Sequence, residues 1–154
     1  MFPNFESEAK IVRGDASLLN FRSDILYLIG HSNEKSGIKL ADGNTLSPLI
    51  LSDLITRSHH YKPRLLFLNT CYGIESGIAA AVKKAGVRTV IAANGTIPIE
   101  HMTQYAEKFF ECWSEGTLAV SKALEVVNQN FKDNKIQFTY LGNGRQTFRS
   151  IHKL

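Results

Sequence analysis

Three short apolar runs, Ile25–Ile29, Leu65–Leu68 and Thr89–Ala93, predict an α/β fold with a mostly parallel central sheet flanked by helices. None of the runs alternates apolar with polar residues, the pattern expected of strands covered on both faces. A helix-like segment separates the first two, so they enclose a strand-helix-strand unit, and such crossovers are right-handed and parallel in almost all folds. His31 and Cys71 follow the ends of those two runs. Parallel strands therefore bring an imidazole and a thiol to one sheet edge, where loops leaving the strands' carboxyl ends form ligand crevices.

In chain order, Lys10–Arg13 reads as an edge strand and Asp15 as the cap of a short helical turn over Ala16–Asn20. After the strand Ile25–Ile29 and His31 comes a polar segment, Ser32–Ser36, and then Gly37–Leu46, whose Asp42-Gly43 signals a hairpin turn. Ser47-Pro48 starts a helix, with Ser as cap and Pro at the first helical position. Leu49, Ile50, Leu54 and Ile55 form its apolar stripe, and it runs to about Ser58. Pro63 precedes the strand Leu65–Leu68. An Ala-rich helix over Ile74–Ala85 closes at Gly86, a residue suited to the left-handed conformation after a helix end. The strand Thr89–Ala93 leads into the turn Asn94-Gly95. Pro98 then opens a helix reaching about Glu115, and Gly116 breaks it. A helix over Thr117–Asn130, with Leu118, Leu124 and Val127 on its apolar side, precedes a last strand, Ile136–Leu141, and a polar tail.

The 154 residues suffice for one domain with a single core, so stability requires neither disulfides nor a metal. With 44% hydrophobic and 21% charged residues, the composition argues against extensive disorder. No apolar run approaches the roughly 18 residues of a spanning helix. Met1-Phe-Pro-Asn-Phe-Glu-Ser-Glu8 lacks the basic and apolar regions of a secretory leader, so the expectation is a cytoplasmic protein with no membrane partner. Net charge is +4, but the basic residues are scattered. Their densest group, Arg145, Arg149, His152 and Lys153, reads as a solvated tail with Phe148 as its one aromatic, which argues against a nucleic-acid surface. Cys71 and Cys112 read as free thiols with different roles.

A thiol becomes an effective nucleophile when an imidazole or a helix amino terminus raises its thiolate fraction. Both are expected beside Cys71, the first from His31 and the second from the helix predicted at Ile74. The main-chain N–H of Cys71 could help bind an oxyanion, and Gly73 allows close backbone approach. Attack on a peptide carbonyl would give a thioester that water hydrolyses, with His31 protonating the leaving amine. Asn69, Gly73, Glu75, Asn94 and Asp42 are candidate substrate contacts, with Asp42, Glu75 and Glu100 suited to line a pocket for a basic side chain; surface solvation explains those acidic residues equally well. A cysteine at a buried strand end is also a common small core residue. The joint placement with His31 favours the catalytic reading.

The segment from His31 to Cys71, with Leu40-Ala-Asp-Gly43, Leu51-Ser-Asp-Leu54 and Leu66-Phe-Leu-Asn-Thr-Cys71, resembles the CHAT branch of the caspase-like (clan CD) cysteine peptidases. Ala85-Gly-Val-Arg-Thr-Val-Ile-Ala92 is similar to that family's next strand. The likeness covers roughly Asp15 to Asn130. It implies a three-layer caspase-like sandwich and a dyad of Cys71 as nucleophile with His31 as acid and base. It further implies an endopeptidase acting on a protein partner, with regulation by proximity or cleavage in a bacterial defence or stress pathway. The chain then reads as a single peptidase domain over residues 1–154, short of the strand and helix that family members usually carry at the amino terminus. The family usually has Gly after its catalytic His, with an N–H in the oxyanion hole; here Ser32 supplies that backbone donor. The caspase signature around the nucleophile is not matched by Thr70-Cys71-Tyr72-Gly73.

Other residues read as structural. His59 and His60 favour the helix dipole at a helix end, and Cys112 and Trp113 read as packing residues. No His and Cys spacing suits zinc, Gly142-Asn-Gly144 lacks the context of a phosphate loop, and no cofactor is implied. Two alternatives stay open: a catalytically inactive interaction module on the same fold, and a flavodoxin-like binding domain, which the missing phosphate loop disfavours.

Overall fold

The computed structural model describes residues 24–33, 37–39, 43–57, 62–115, 117–132 and 137–152. The edge strand predicted at Lys10–Arg13 and the turn capped by Asp15 lie outside them. In chain order the elements are β1 (Ile25–Ile29), β2 (Ser32–Asn33), β3 (Gly37–Lys39), β4 (Thr45–Leu46), α1 (Pro48–Arg57), β5 (Leu65–Asn69), α2 (Ile78–Lys84) and β6 (Thr89–Ala93). A 3-10 turn at Ile99–His101 leads into α3 (Met102–Trp113), followed by α4 (Val120–Asn130), β7 (Phe138–Gly142) and α5 (Phe148–His152).

The fold is α/β, with a mixed, mostly parallel sheet in the order β1-β5-β6-β7. β1 pairs parallel with β5 and β5 with β6, whereas β7 runs antiparallel to β6. Because side chains alternate across a strand, the apolar runs feed two cores. Leu66, Leu68, Val90 and Ala92 join Leu51, Leu54 and Ile55 of α1 and Ile78, Ala79 and Val82 of α2. Leu65, Phe67, Ile91 and Ala93 join α3, α4 and α5 on the opposite face. Phe67, fully buried, is the centre of that second core, with ring centroids 5.7 Å from Tyr27, 5.4 Å from Phe109 and 5.3 Å from Phe138. Burying such a side chain contributes about 1.5–3 kcal/mol. Among the described residues, no helix is long and apolar enough to cross a membrane.

Beyond His31 the chain builds a second, three-stranded antiparallel sheet in the order β2-β3-β4. The expected hairpin is its β3-β4 pair, with Gly43 in the left-handed region at φ +86°; Asp42 lies outside the described residues. Gly37, at φ +103°, is required because a Cβ there would run into the Leu46 carbonyl. α1 begins where Ser47-Pro48 predicts, and the Ser47 hydroxyl accepts from the Ile50 N–H at 3.2 Å, a side-chain cap.

Three sequence expectations are corrected. The buried stripe of α1 is Leu51, Leu54 and Ile55, whereas Leu49 is 79% and Ile50 39% exposed, because at about 100° per residue Leu49 falls on the side of the helix away from that stripe and Ile50 at its edge. α2 starts at Ile78, not Ile74, because the residues before it bond across to the loop after β6. The tail is not merely solvated: Phe148 and Ile151 are buried in the second core, since their spacing sets both on one face of α5.

Candidate active site

Ile29 pairs with Asn69 at the carboxyl ends of β1 and β5. Two residues further along each chain stand His31 and Cys71. Neighbouring strands run about 4.8 Å apart, and the chains stay linked past the sheet, because the Ser32 hydroxyl donates to the Cys71 carbonyl. His31 is exposed, and its own carbonyl accepts from the Lys39 N–H of β3 at 2.9 Å. The small sheet thus fixes the backbone that carries the imidazole.

Cys71 is a free thiol, half-buried against the second core. The Ile97 N–H donates to its sulfur at 3.3 Å, and Sγ stands 3.8 Å from the Ile97 carbonyl. Tyr72 adopts φ +56°, which for a residue other than Gly costs about 1–2 kcal/mol. Its N–H donates to the Gly95 carbonyl at 2.6 Å, which helps offset that cost. Gly73 is closely packed, since a Cβ would stand 3.1 Å from Ala92 Cβ and Leu68 Cδ2, tighter than ordinary contact.

These bonds displace the helix that was expected to begin just past Cys71. The Ile74 N–H donates to the Ala93 carbonyl at 3.2 Å, and both Glu75 carboxylate oxygens accept from the Gly95 N–H at 2.9 and 3.0 Å. Gly77 then takes φ +81° before α2 starts. α2 therefore does not begin beside the thiol, whose sulfur instead meets the main chain of Ile97.

The remaining candidates separate. Asn69 is fully buried, and its Nδ2 donates to the Tyr27 hydroxyl at 2.7 Å and the Met102 carbonyl at 2.6 Å. It braces β1 and α3 from beneath the site and does not present its amide to a substrate. Glu75 is exposed but engaged with Gly95, and Asn94 is exposed with its N–H directed at the Gln137 carbonyl at 3.4 Å. Asp42, His59 and His60 lie outside the described residues. No group of three or more metal-binding side chains occurs among the described residues. Two polar atoms next to Cys71, Asn69 Oδ1 and Thr70 Oγ1, are buried without a hydrogen-bond partner among the described residues.

Burial pushes the Tyr27 hydroxyl above its ordinary pKa of 10.0, the Asn69 hydrogen bond opposes this, and Glu107 adds to it. Burial also pushes the Cys112 thiol up, with Lys108 opposing and Glu111 and Glu115 adding.

Sequence reasoning missed Ile97, whose main chain meets the sulfur, and Gly95, whose carbonyl holds the Tyr72 N–H; it read Gly95 as part of a turn and Asn94 as a turn residue and candidate substrate contact. The available signal was strand order: a loop leaving the third parallel strand emerges at the same edge as Cys71. No family model matches the chain, and no curated protein sequence matches it.

Proposed function

We propose that the chain is a caspase-like cysteine peptidase that cleaves a protein or peptide substrate, with Cys71 as nucleophile and His31 as acid and base. The observation that carries this reading is the pairing of Ile29 with Asn69, since His31 and Cys71 each stand two residues past the carboxyl ends of those adjacent strands. Helices on both faces of the sheet support the finer reading of a three-layer caspase-like sandwich.

In the proposed reaction His31 accepts the thiol proton as Cys71 Sγ bonds to the carbonyl carbon. Main-chain N–H groups of Ser32 and Cys71 take up the oxyanion. Collapse breaks the C–N bond, His31 passes its proton to the leaving amine, and a thioester remains on Sγ. His31 then takes a proton from water as its oxygen attacks the thioester, the C–S bond breaks, and the sulfur recovers that proton. Cys71→Ala and His31→Ala are each expected to reduce cleavage of a fluorogenic peptide library at least about a thousandfold. Undiminished cleavage by either variant rules out the dyad.

One observation favours a second reading. The sulfur of Cys71 is engaged by the Ile97 main chain and packs half-buried against the core, as a structural cysteine would. On that reading the domain is a non-catalytic interaction module. Cys71→Ala then leaves partner binding unchanged, and a peptide-based electrophile does not label Cys71.

A further inference from the structure

We infer that Ser32 is a positioning residue whose side-chain hydroxyl fixes the peptide following the thiol and so sets the direction of Sγ. The inference rests on the reading of Cys71 as a nucleophile. It concerns the Ser32 side chain, separately from the main-chain N–H that the proposed oxyanion hole uses.

The peptide joining Cys71 to Tyr72 is gripped at both ends. Its carbonyl accepts from the Ser32 hydroxyl, on the β1 side, and its N–H donates to the Gly95 carbonyl at 2.6 Å, on the β6 side. A peptide unit is planar and stiff, so holding both its oxygen and its nitrogen fixes its rotation. The thiol is then left with its χ1 rotation, and the Ile97 N–H at 3.3 Å selects among the rotamers. Tyr72 at φ +56° shows that this orientation is not one a residue other than Gly adopts freely, so the grips have work to do against the backbone.

Ser32 is suited to supply one of those grips. It starts β2 and pairs with Ile38 of β3, so its hydroxyl is presented by an ordered sheet and not by a free loop. It also directly follows His31, whose carbonyl is bonded to Lys39. One hydroxyl therefore links the backbone carrying the base to the backbone carrying the nucleophile. Alanine removes the link at no cost in shape, and threonine retains it.

The test compares the full chain with Ser32→Ala and Ser32→Thr, their folding checked by circular dichroism and thermal melting. Two rates are measured: kcat and KM on the best-cleaved peptide of a fluorogenic library, and alkylation of Cys71 by iodoacetamide, mapped by mass spectrometry with Cys112 as internal reference. Ser32→Ala is expected to lower kcat roughly ten- to a hundredfold with KM little changed. Cys71 alkylation should also slow several-fold, with Cys112 unaffected, and Ser32→Thr should restore both. Cys71 alkylation that is unchanged or faster in folded Ser32→Ala overturns the inference, whether or not any peptide is cleaved. If the wild type cleaves no library member while Cys71 alkylation still depends on the hydroxyl, the peptidase reading fails and the positioning role stands. Should Ser32→Ala not fold, Ser32→Gly carries the same comparison.

Discussion

The two ends of the central sheet bury the same kinds of polar side chain and treat them oppositely. At the carboxyl end of β5, Asn69 and Thr70 are both fully buried, and Asn69 Oδ1 and Thr70 Oγ1 have no hydrogen-bond partner among the described residues. At the amino end of β6, Thr89 is equally buried, yet its hydroxyl reaches both the Gln146 side-chain oxygen and the Asn143 carbonyl at 3.2 Å. Gln146 is itself buried, and its carbonyl accepts from Trp113 Nε1 at 3.1 Å and the Val120 N–H at 2.9 Å. One end is closed by a strap from the carboxyl-terminal segment, through the Gln146 side chain and the Asn143 and Gln146 carbonyls. The other holds unmet hydrogen-bonding capacity beside a left-handed Tyr72. Buried unsatisfied groups are few in native proteins, so this difference between the two ends is what substitutions there put to the test.

The same substitution at both ends tests that contrast. Thr89→Val keeps the β-branched shape but leaves the buried Gln146 side-chain oxygen without its donor, at a cost of about 1–3 kcal/mol. For a chain of this size the melting temperature should fall by roughly 2–4 °C per kcal/mol lost. Peptide cleavage by the folded variant should be unchanged, since Thr89 stands at the far edge from Cys71. A melting temperature equal to that of the wild type means that the strap does not hold this end closed.

How much of this was legible depended on how local the physics is. The strands Ile25–Ile29 and Thr89–Ala93 match expectation to the residue, because an unbroken apolar run between polar or Gly residues admits few other readings. The start of α1 was legible for the same reason: Ser47 and Pro48 act within one turn. The residues 74–77 were not, because an Ala-rich segment satisfies helix propensity while the deciding bonds, to Ala93 and Gly95, come from a loop about 20 residues away in sequence. Phe148 and Ile151 were lost among charged neighbours in a segment too short to show a periodicity. At the site, strand ends predicted where His31 and Cys71 emerge. The Ser32 and Ile97 contacts were hidden because both are made across strands by groups that every sequence contains, a hydroxyl and a main-chain N–H.

A smaller effect is expected from Tyr27, which accepts one of the Asn69 donors. Its folded-state pKa is raised, chiefly by burial, so the folded chain holds the phenolic proton more tightly than the unfolded chain does. That contribution to stability is complete below about pH 10, the unfolded value, and is lost as pH rises through the folded one. Tyr27→Phe should therefore flatten the alkaline decline in urea midpoint while lowering the midpoint near neutrality, where Asn69 Nδ2 loses one of its two acceptors. Parallel declines in variant and wild type between pH 9 and 11 would show that Tyr27 does not carry the alkaline sensitivity of this edge.

Thr70→Val should have the smallest effect on stability, and of the opposite sign to Thr89→Val. Both sites are fully buried, so a difference in exposure cannot produce opposite signs. What differs is the hydroxyl: at residue 70 it is desolvated with no hydrogen bond in return, so replacing it by a methyl of the same shape is neutral or stabilising by up to about 1 kcal/mol. The activity arm decides what the unmet hydroxyl means. If the carboxyl edge keeps polar capacity for a substrate or for the loop movement that admits one, Thr70→Val gains or holds melting temperature while losing peptide cleavage, a trade expected only at functional sites. A variant that gains stability and keeps full cleavage would show that Thr70 is a packing defect, and would leave the case for the edge resting on His31, Ser32 and Cys71.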